Sequence, residues 1–227
     1  NQLVRRALEE TGVHRLRLGS IEPAELTDEL IDTVATSQVV CPHFHIPLQS
    51  GDNNVLRRMK RNYDTEFFAA LLWKVKDRIP DAAICLDVIT GFPGETELEF
   101  KKTRDFLARL PISDRHVVPY SKRPGTPAAS MPGQIPGDVS KERAEQLRNL
   151  AARKHAEYAE SFVGGELEVV VEATNKTGFF KGVSKNYLDI RFSAESELKG
   201  QCAIVRPVSW QGEYLLAEIV NKPSETF

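Results

Sequence analysis

The sequence predicts an α/β protein in which a partial TIM-like (βα) barrel is followed by a small all-β barrel. Helical and strand-like segments alternate up to about residue 120, a stretch rich in Pro and Gly follows, and short β-branched or aromatic runs fill the rest of the chain. Alternating strands and helices are typical of parallel sheets, whereas closely spaced short strands are typical of small barrels. We place the domains at 1–135 and 162–227, with a linker and connecting helix at 136–161.

Four strand-like segments and the helices between them make up the first domain. The predicted strands are 13–21, 43–48, 83–90 and 115–120, and the predicted helices are 24–36, 52–60, 65–79 and 96–109. An opening amphipathic helix ends at Gly12, and Thr96 with Glu99 has the spacing of a capping box. A complete eight-stranded barrel takes about 250 residues, so four strands predict a partial barrel. The sequence opens on a helix, and we expect an N-terminal part of the protein to precede it.

The second domain follows a helix predicted at 139–162, which carries apolar residues on one face. Its five short runs are separated by Gly, Asn, Ser and Lys, which favour turns. The runs lie at 166–172, 178–183, 186–192, 202–208 and 213–220. This pattern predicts a barrel or sandwich of about 60 residues.

Charge and composition exclude several classes of protein. The chain has 30 Lys and Arg against 32 Asp and Glu, a formal charge of −2, so a nucleic acid would have to be bound by a local patch. No apolar run approaches the roughly 18 residues of a membrane span, and the N-terminus does not resemble a signal peptide, so we expect a cytoplasmic protein without membrane contact. The spacing of Cys41, Cys85 and Cys202 matches no zinc or iron–sulfur pattern.

Polar side chains lie on or just after the predicted strands, at the edge where parallel barrels bind their ligands. They are Glu22, Gln49, Ser50, Arg61 and Asp87, and a turn that begins at Gly91 follows the third strand. A carboxylate can bind an ammonium group, a guanidinium binds a carboxylate through two parallel hydrogen bonds, and carboxylate or amide oxygens accept from ribose hydroxyls. The set therefore predicts a site for S-adenosylmethionine (SAM), which carries all three groups.

Each of these residues also has a purely structural interpretation. Glu22 could cap the helix that follows it, Asp87 and Arg61 could form an ion pair, and Gln49 and Ser50 could only form a turn. The three explanations are independent of one another, whereas one ligand site explains all five residues together.

A different enzyme class remains open for the same domain. His43 and His45 point to one face of a strand and could be the HxH pair of a metal-dependent hydrolase barrel. Such a site needs further ligands at other strand ends, so our main interpretation assigns no metal ligand to this chain.

The second domain contains basic residues interleaved with aromatic ones, a pattern used to bind single-stranded RNA. The candidates are Lys176, Phe180, Lys181, Lys185, Tyr187 and, more weakly, Arg191. In the alternative interpretation the rings belong to the core and the lysines to a solvated rim. A non-catalytic RNA-binding module, with the partial barrel as a scaffold, is a second function that this pattern allows.

Four segments resemble the second half of the radical SAM methylthiotransferases of the MiaB and RimO type. They are RLRLGSIEP, CPHFHIPLQSGDNNVLRRMKR, DVITGFPGETELEF and HVVPYSKRPGTPA, and the C-terminal β segment is similar to the TRAM domain that ends those enzymes. SIEP together with HIPLQSG is most similar to the branch that methylthiolates N6-threonylcarbamoyladenosine in tRNA. The resemblance implies a partial barrel of radical SAM type followed by a TRAM barrel.

The resemblance also implies a cofactor, a partner and a missing part. SAM would be held by Glu22, Gln49, Arg61 and Asp87, with its adenine near Gly91 and Tyr120. The [4Fe–4S] clusters of the full-length enzyme need a CxxxCxxC loop that this chain lacks, so we expect no catalytic residue here and no turnover by the chain alone. The expected partners are the tRNA anticodon arm and the missing N-terminal domains. The substrate, threonylcarbamoyl- or isopentenyl-adenosine, stays open.

Overall fold

The structure is a computed structural model that describes residues 2–174, 179–194 and 198–221. The chain divides into two compact units, Asn1–Arg153 and Lys154–Phe227. The predicted fold class is confirmed, since the first unit contains a parallel sheet covered by helices and the second a closed barrel. The unit boundary falls inside the connecting helix, whereas the sequence placed domain limits at 135 and 162. No helix in the described part of the chain has the length and apolar character needed to cross a membrane.

The first unit contains most of the helices. Its elements are α1 (Gln2–Glu10), a 3₁₀ turn (Pro23–Glu25), α2 (Asp28–Thr36), β1 (His43–Gln49), α3 (Asn53–Arg58), α4 (Thr65–Arg78), β2 (Ala83–Thr90), α5 (Glu97–Arg109), β3 (Asp114–Pro119), α6 (Pro127–Ser130) and α7 (Gly137–Glu160). The last helix, α7, continues across the boundary into the second unit. The short helix α6 lies in the Pro- and Gly-rich stretch that follows residue 120.

Strands β1, β2 and β3 form a parallel sheet in that order. The strand predicted at 13–21 is wrong as a continuous element, because this segment makes only two isolated parallel bridges, Leu16 with Val40 and Ser20 with His45. Gly19 lies within the run, and glycine weakens a strand interior. The two bridges still align the segment with β1, so its end lies at the edge where β1 ends.

The two faces of the sheet differ in chemistry because side chains alternate along a strand. One face is apolar, fully buried and packed on the helices, with Phe44, Ile46 and Leu48 from β1 and Ile84 and Leu86 from β2. The opposite face carries polar groups from all three strands, namely His43, His45, Cys85, Asp87 and His116. On this face His43 and Cys85 are buried, His45 and Asp87 are half-buried, and His116 is exposed.

The second unit is a five-stranded barrel. Its strands are β4 (Leu167–Thr174), β5 (Phe179–Ser184), β6 (Asp189–Ser193), β7 (Cys202–Trp210) and β8 (Leu215–Asn221). They close in the order β4-β5-β6-β8-β7, with β6 and β8 parallel and the other pairs antiparallel. Five-stranded Greek-key barrels of this kind include the OB folds, which bind oligonucleotides.

A capping box begins α5, as the sequence predicts. The Thr96 hydroxyl accepts from the Glu99 amide, and the Glu99 carboxylate accepts from the Thr96 amide. Arg58 at the end of α3 also donates to both Glu99 oxygens, at 2.9 and 3.0 Å. Glu99 therefore joins two helices and fixes the point at which the chain leaves the turn after β2.

We expect this ion pair to make stability depend on acid. The Arg58 guanidinium is the main reason that the pKa of Glu99 falls to about 2 from its ordinary value of 4.5. A lowered folded-state pKa stabilises the protein above pH 4.5, and this stabilisation is lost as the pH falls towards 2. Glu99→Gln should therefore unfold more easily in urea at pH 6, by up to about 3 kcal/mol, and the difference should disappear near pH 2. Glu145→Gln, an exposed site on α7, is the control; a Glu99→Gln deficit that does not change with pH would contradict the assignment.

Candidate functional site

Apart from Ser50, the predicted ligand residues lie at or near one edge of the parallel sheet. Strands β1, β2 and β3 end at Gln49, Thr90 and Pro119, and the Ser20 bridge aligns the segment before Glu22 with β1. Gly91 and Tyr120 immediately follow their strands, and the Tyr120 amide donates to the Thr90 carbonyl at 2.8 Å. Parallel strands bring their carboxyl ends to the same edge, and this edge is where α/β folds bind ligands.

Arg61 and Glu22 form an ion pair at this edge. Arg61 Nη1 lies 3.5 Å from Glu22 Oε1. This ion pair joins the segment after α3 to the turn that follows residues 13–21. Glu22 occupies the N-cap position of the 3₁₀ turn, yet its side chain makes no capping hydrogen bond, so the helix-cap interpretation is wrong. The Arg61 Nε atom is buried and makes no hydrogen bond within the described residues. The guanidinium therefore retains capacity to donate to an anionic ligand.

Asp87 is held by a histidine on the polar face of the sheet. His45 Nε2 lies 2.9 Å from Asp87 Oδ1, and His45 Nδ1 lies 3.1 Å from the Ser20 hydroxyl. The alternative ion pair between Asp87 and Arg61 is therefore wrong, since each is bonded to a different residue. The bond to His45 orients the carboxylate and still leaves it acceptor sites, because a carboxylate offers about four.

Gln49 ends β1 in an unusual backbone conformation. Its φ is +72°, in the left-handed region, and the register with β2 shifts between Pro47 and Gln49. The Tyr63 hydroxyl donates to the carbonyls of Pro47 and Leu48 at 2.9 and 3.1 Å, and burial raises the pKa of Tyr63 to about 12. Strained, bulged strand ends are frequent next to ligand sites, where they redirect a side chain.

Ser50 is placed differently from the ligand residues. The side chain is fully buried, and its hydroxyl lies 3.2 Å from the Thr103 hydroxyl on α5. The Gly51 amide also donates to Thr103 at 3.1 Å. We correct the expectation that Ser50 contacts a cofactor: its hydroxyl satisfies buried polar groups between β1 and α5, as the turn-former interpretation proposes.

The turn at 91–95, which we call the Gly91 turn, leads from β2 to α5. Gly91 has a φ of +72°, which favours glycine, and its amide donates to Glu95 Oε2 at 2.8 Å. Because this amide is already used, a flat ligand would meet the Gly91 backbone surface and not its N–H. Phe92 and Tyr120 form an edge-to-face ring contact at 5.6 Å, and the Tyr120 hydroxyl is buried without a hydrogen bond in the described residues.

The described residues contain one group that could hold a metal ion, and it is not the predicted His43 and His45 pair. Ligand atoms of His45, Cys85 and His116 lie within 4.8 Å of one another. Both His45 ring nitrogens already face polar partners, and burial raises the pKa of Cys85 to about 12, which opposes the thiolate that a metal requires. This donor set does not fit a hydrolytic metal centre.

In the barrel unit, Phe180 belongs to the core. It is 4% exposed and stacks on Phe192, with ring centroids 5.7 Å apart. The expectation that Phe180 binds RNA is therefore wrong, and the core interpretation of this ring holds. Its neighbour Phe179 points to the outside and is 36% exposed, because successive strand residues face opposite sides. Lys176 lies outside the described residues.

The outer face of β5 and β6 brings two cations together beside aromatic rings. Lys181 lies directly opposite Arg191, and the Arg191 guanidinium sits over the Tyr214 ring at 3.9 Å. Phe179 continues the same face of β5. We call these four residues the β5–β6 face. Tyr214 was missed from the sequence, because only the parallel pairing of β6 with β8 brings the residue before β8 beside β6.

The turn between β5 and β6 carries the remaining candidates. Tyr187 is 57% exposed and has a φ of +68°, which is unusual for a bulky residue. Lys185 lies 3.1 Å from Glu168, so part of its charge is neutralised. Asn186 lies between Lys185 and Tyr187 in the sequence and is buried. Its side-chain amide donates to the Tyr158 hydroxyl at 2.9 Å. The turn is thus anchored while Tyr187 projects from it.

The first unit matches a known family model. The match is to the Radical SAM superfamily and covers residues 2–107. This match assigns residues 2–107, just under half of the chain, to the Radical SAM superfamily. This confirms the resemblance predicted from the strand-end motifs.

Curated relatives extend the similarity to most of the chain. The threonylcarbamoyladenosine tRNA methylthiotransferase MtaB of Bacillus subtilis is 42% identical over 199 residues, covering 86% of this chain and 44% of that protein. The tRNA-2-methylthio-N(6)-dimethylallyladenosine synthase of Acetivibrio thermocellus is 37% identical over 207 residues, covering 90% of this chain and 43% of that protein. The chain spans less than half the length of these relatives.

A solved structure supports the radical SAM fold. Coproporphyrinogen III oxidase (HemN) from Escherichia coli, described as a radical SAM enzyme, superposes with a TM-score of 0.53 at 14% identity. The similarity covers 95% of this chain and 54% of that one. At this identity the likeness concerns the fold alone.

The two neighbouring phenylalanines of β5 give a direct test of strand register in the barrel. Phe180→Ala should lower the free energy of unfolding by about 3–5 kcal/mol, because it leaves a cavity beside Phe192. Phe179→Ala, on the outer face of the same strand, should cost less than about 1 kcal/mol. Urea denaturation of both variants measures the difference, and equal losses would show that the assigned faces of β5 are incorrect.

Proposed function

We propose that this chain is the part of a tRNA methylthiotransferase that binds SAM and the tRNA substrate. The observation that carries the proposal is the convergence of Arg61, Glu22 and Asp87 at the carboxyl edge of the sheet. The names of the curated relatives support the reaction class. In this assignment the enzyme is a transferase that installs a methylthio group, and the chain supplies binding groups to it.

The chemistry of the edge fits SAM. The Arg61 guanidinium would bind the α-carboxylate, the Glu22 carboxylate the α-ammonium, and Asp87 with Gln49 the ribose hydroxyls. Two buried atoms make no hydrogen bond within the described residues, Arg61 Nε and the Tyr120 hydroxyl. Both could donate a hydrogen bond to a ligand. SAM supplies the methyl group and the radical precursor for the reaction when it is bound.

The cysteines of this chain do not fit a [4Fe–4S] cluster. Cys41 and Cys85 are buried within the first unit, and Cys202 lies on β7 of the barrel. A cluster is held by thiolates that share one site. We therefore assign the clusters of the proposed enzyme to residues outside this chain and route no chemical step through Cys41, Cys85 or Cys202.

The β5–β6 face is our proposed contact with the tRNA anticodon arm. Lys181 lies 3.4 Å from Asp189, and Arg191 stacks on Tyr214. Both cations are at the surface, where an RNA phosphate would bind them in competition with the Asp189 carboxylate. The Tyr214 and Phe179 rings, together with Tyr187 on the adjacent turn, can stack on unpaired bases. OB-type barrels bind oligonucleotides on the face of their second and third strands, which correspond here to β5 and β6.

The proposed substrate is an N6-modified adenosine next to the anticodon. The similarity to the Bacillus subtilis enzyme favours the threonylcarbamoyl form, and the Acetivibrio thermocellus relative acts on the dimethylallyl form according to its name. We propose the threonylcarbamoyl branch, because its SIEP and HIPLQSG segments coincide with the strand ends that carry Glu22 and Gln49.

SAM binding tests the first half of this function. The purified protein should bind SAM with saturation in isothermal titration calorimetry, and Arg61→Gln should weaken the affinity about tenfold to a hundredfold because a charge-assisted hydrogen bond is lost. Arg57→Gln is the matched control, since Arg57 lies on the neighbouring α3 and donates to Asn54 Oδ1 of the same helix at 2.8 Å. Absence of saturable SAM binding together with retained tRNA binding would favour the non-catalytic RNA-binding module instead.

The tRNA contact has its own signature in salt dependence. Arg191→Ala should weaken binding of an anticodon stem-loop and lower the slope of log K against log salt by about 1, because one phosphate contact is lost. Arg206→Ala, an exposed arginine on β7 paired with Glu166, should leave the slope unchanged. Equal effects of the two variants, measured by fluorescence anisotropy from 50 to about 200 mM salt, would remove the β5–β6 face as the binding surface.

A further inference from the structure

The Gly91 turn is held by helix α7, which follows the last strand of the sheet. The Thr90 hydroxyl donates to the main-chain carbonyl of Ser140 at 2.9 Å, and Thr90 is almost fully buried. Gly91 approaches Ser140 so closely that a Cβ on Gly91 would overlap the serine side chain. The first turn of α7 therefore packs directly against the backbone on which the adenine of SAM is proposed to rest.

Arg143 lies one turn further along α7 and reaches the same turn through a buried carboxylate. Its Nη1 atom donates to Glu95 Oε2 at 2.8 Å and to the Glu95 main-chain carbonyl at 3.0 Å. The same Glu95 Oε2 accepts the Gly91 amide at 2.8 Å. Arg143 is 6% exposed and Glu95 is 2% exposed, so these bonds are shielded from water.

The guanidinium is fixed on several sides. Its Nη2 atom donates to Glu97 Oε2 at 3.0 Å, and its centre lies 5.2 Å from the Phe100 ring centroid. A lysine could not make this set of contacts, because it carries a single ammonium group and not a planar fork. Removal of Arg143 would leave Glu95 as a buried carboxylate without a counter-ion, which is strongly unfavourable.

We propose that Arg143 is a positioning residue for SAM: it holds Glu95, and Glu95 fixes the left-handed Gly91 turn against which the adenine is bound. Arg143 belongs to α7 and acts through Glu95 without touching the ligand. This inference rests on the proposed function, because it assigns a further residue to the same SAM site.

The test compares two arginines of the same helix. Arg143→Met should weaken SAM binding at least tenfold in calorimetry and remove the hydrogen-exchange protection of the Gly91 amide measured by NMR. Arg148→Met is the control, because Arg148 donates to the Val117 carbonyl on β3 at 3.0 Å. It should keep SAM affinity within twofold and leave the Gly91 amide protected.

A pH profile separates positioning from a general loss of stability. Burial already raises the pKa of Glu95, and the Gly91 amide and Arg143 oppose that rise. In Arg143→Met the Glu95 carboxyl should take up a proton at higher pH than in the unaltered protein, so the pH dependence of SAM affinity should move to higher pH. The double variant Glu95→Gln/Arg143→Met contains no uncompensated buried charge. It should lose this pH dependence while SAM binding stays weak. If Arg143→Met does not fold, the double variant takes its place in the binding and exchange measurements.

The outcomes separate this inference from the function on which it rests. If the unaltered protein binds SAM and Arg143→Met binds it equally well, or if Arg148→Met loses as much affinity, the positioning role is overturned and the function stands. If the unaltered protein does not bind SAM, the proposed function and the positioning role are both overturned. Hydrogen exchange of the Gly91 amide then still shows whether Arg143 holds the Gly91 turn.

Discussion

The parallel register of β1, β2 and β3 is the constraint on which the candidate site depends. Parallel pairing brings the ends of the strands to one edge, and alternation along each strand gives one apolar face and one polar face. The helices cover the apolar face, so the polar groups of successive strands are left to interact with each other. The contacts of His45 with Ser20 and Asp87 across three neighbouring segments follow directly from this arrangement.

Much of the fold could be predicted from the sequence, because its signals are local. The capping box at Thr96 and the strands predicted at 43–48 and 83–90 follow from spacing and periodicity alone, and the structure extends the first strand by one residue, to Gln49. The segment at 13–21 contains a strand-like pattern, but it pairs with only one neighbour and forms two bridges. The residues of this segment alone do not show that it forms no continuous strand, because a strand is stabilised by pairing with its neighbours.

The site was predictable in its composition and less so in its contacts. Arg61 and Asp87 were both identified, yet their partners, Glu22 and His45, depend on tertiary positions. The sequence pattern predicted Phe180 as an RNA-binding ring, but in the structure Phe180 is buried and Phe179 faces outward. A run of two aromatic residues does not reveal which one faces the core. Arg143 gave no signal, since an arginine in an amphipathic helix is usually solvated.

The central claim is that the edge of the parallel sheet binds SAM through Arg61, Glu22 and Asp87. A crystal structure of the protein with S-adenosylhomocysteine, which lacks the methyl group and the sulfonium charge of SAM but keeps its other groups, tests it most directly. The account predicts the ligand carboxylate within hydrogen-bond distance of Arg61, its ammonium near Glu22 and its ribose on Asp87. A ligand bound elsewhere on the protein, or an edge that stays empty at saturating concentration, would contradict it.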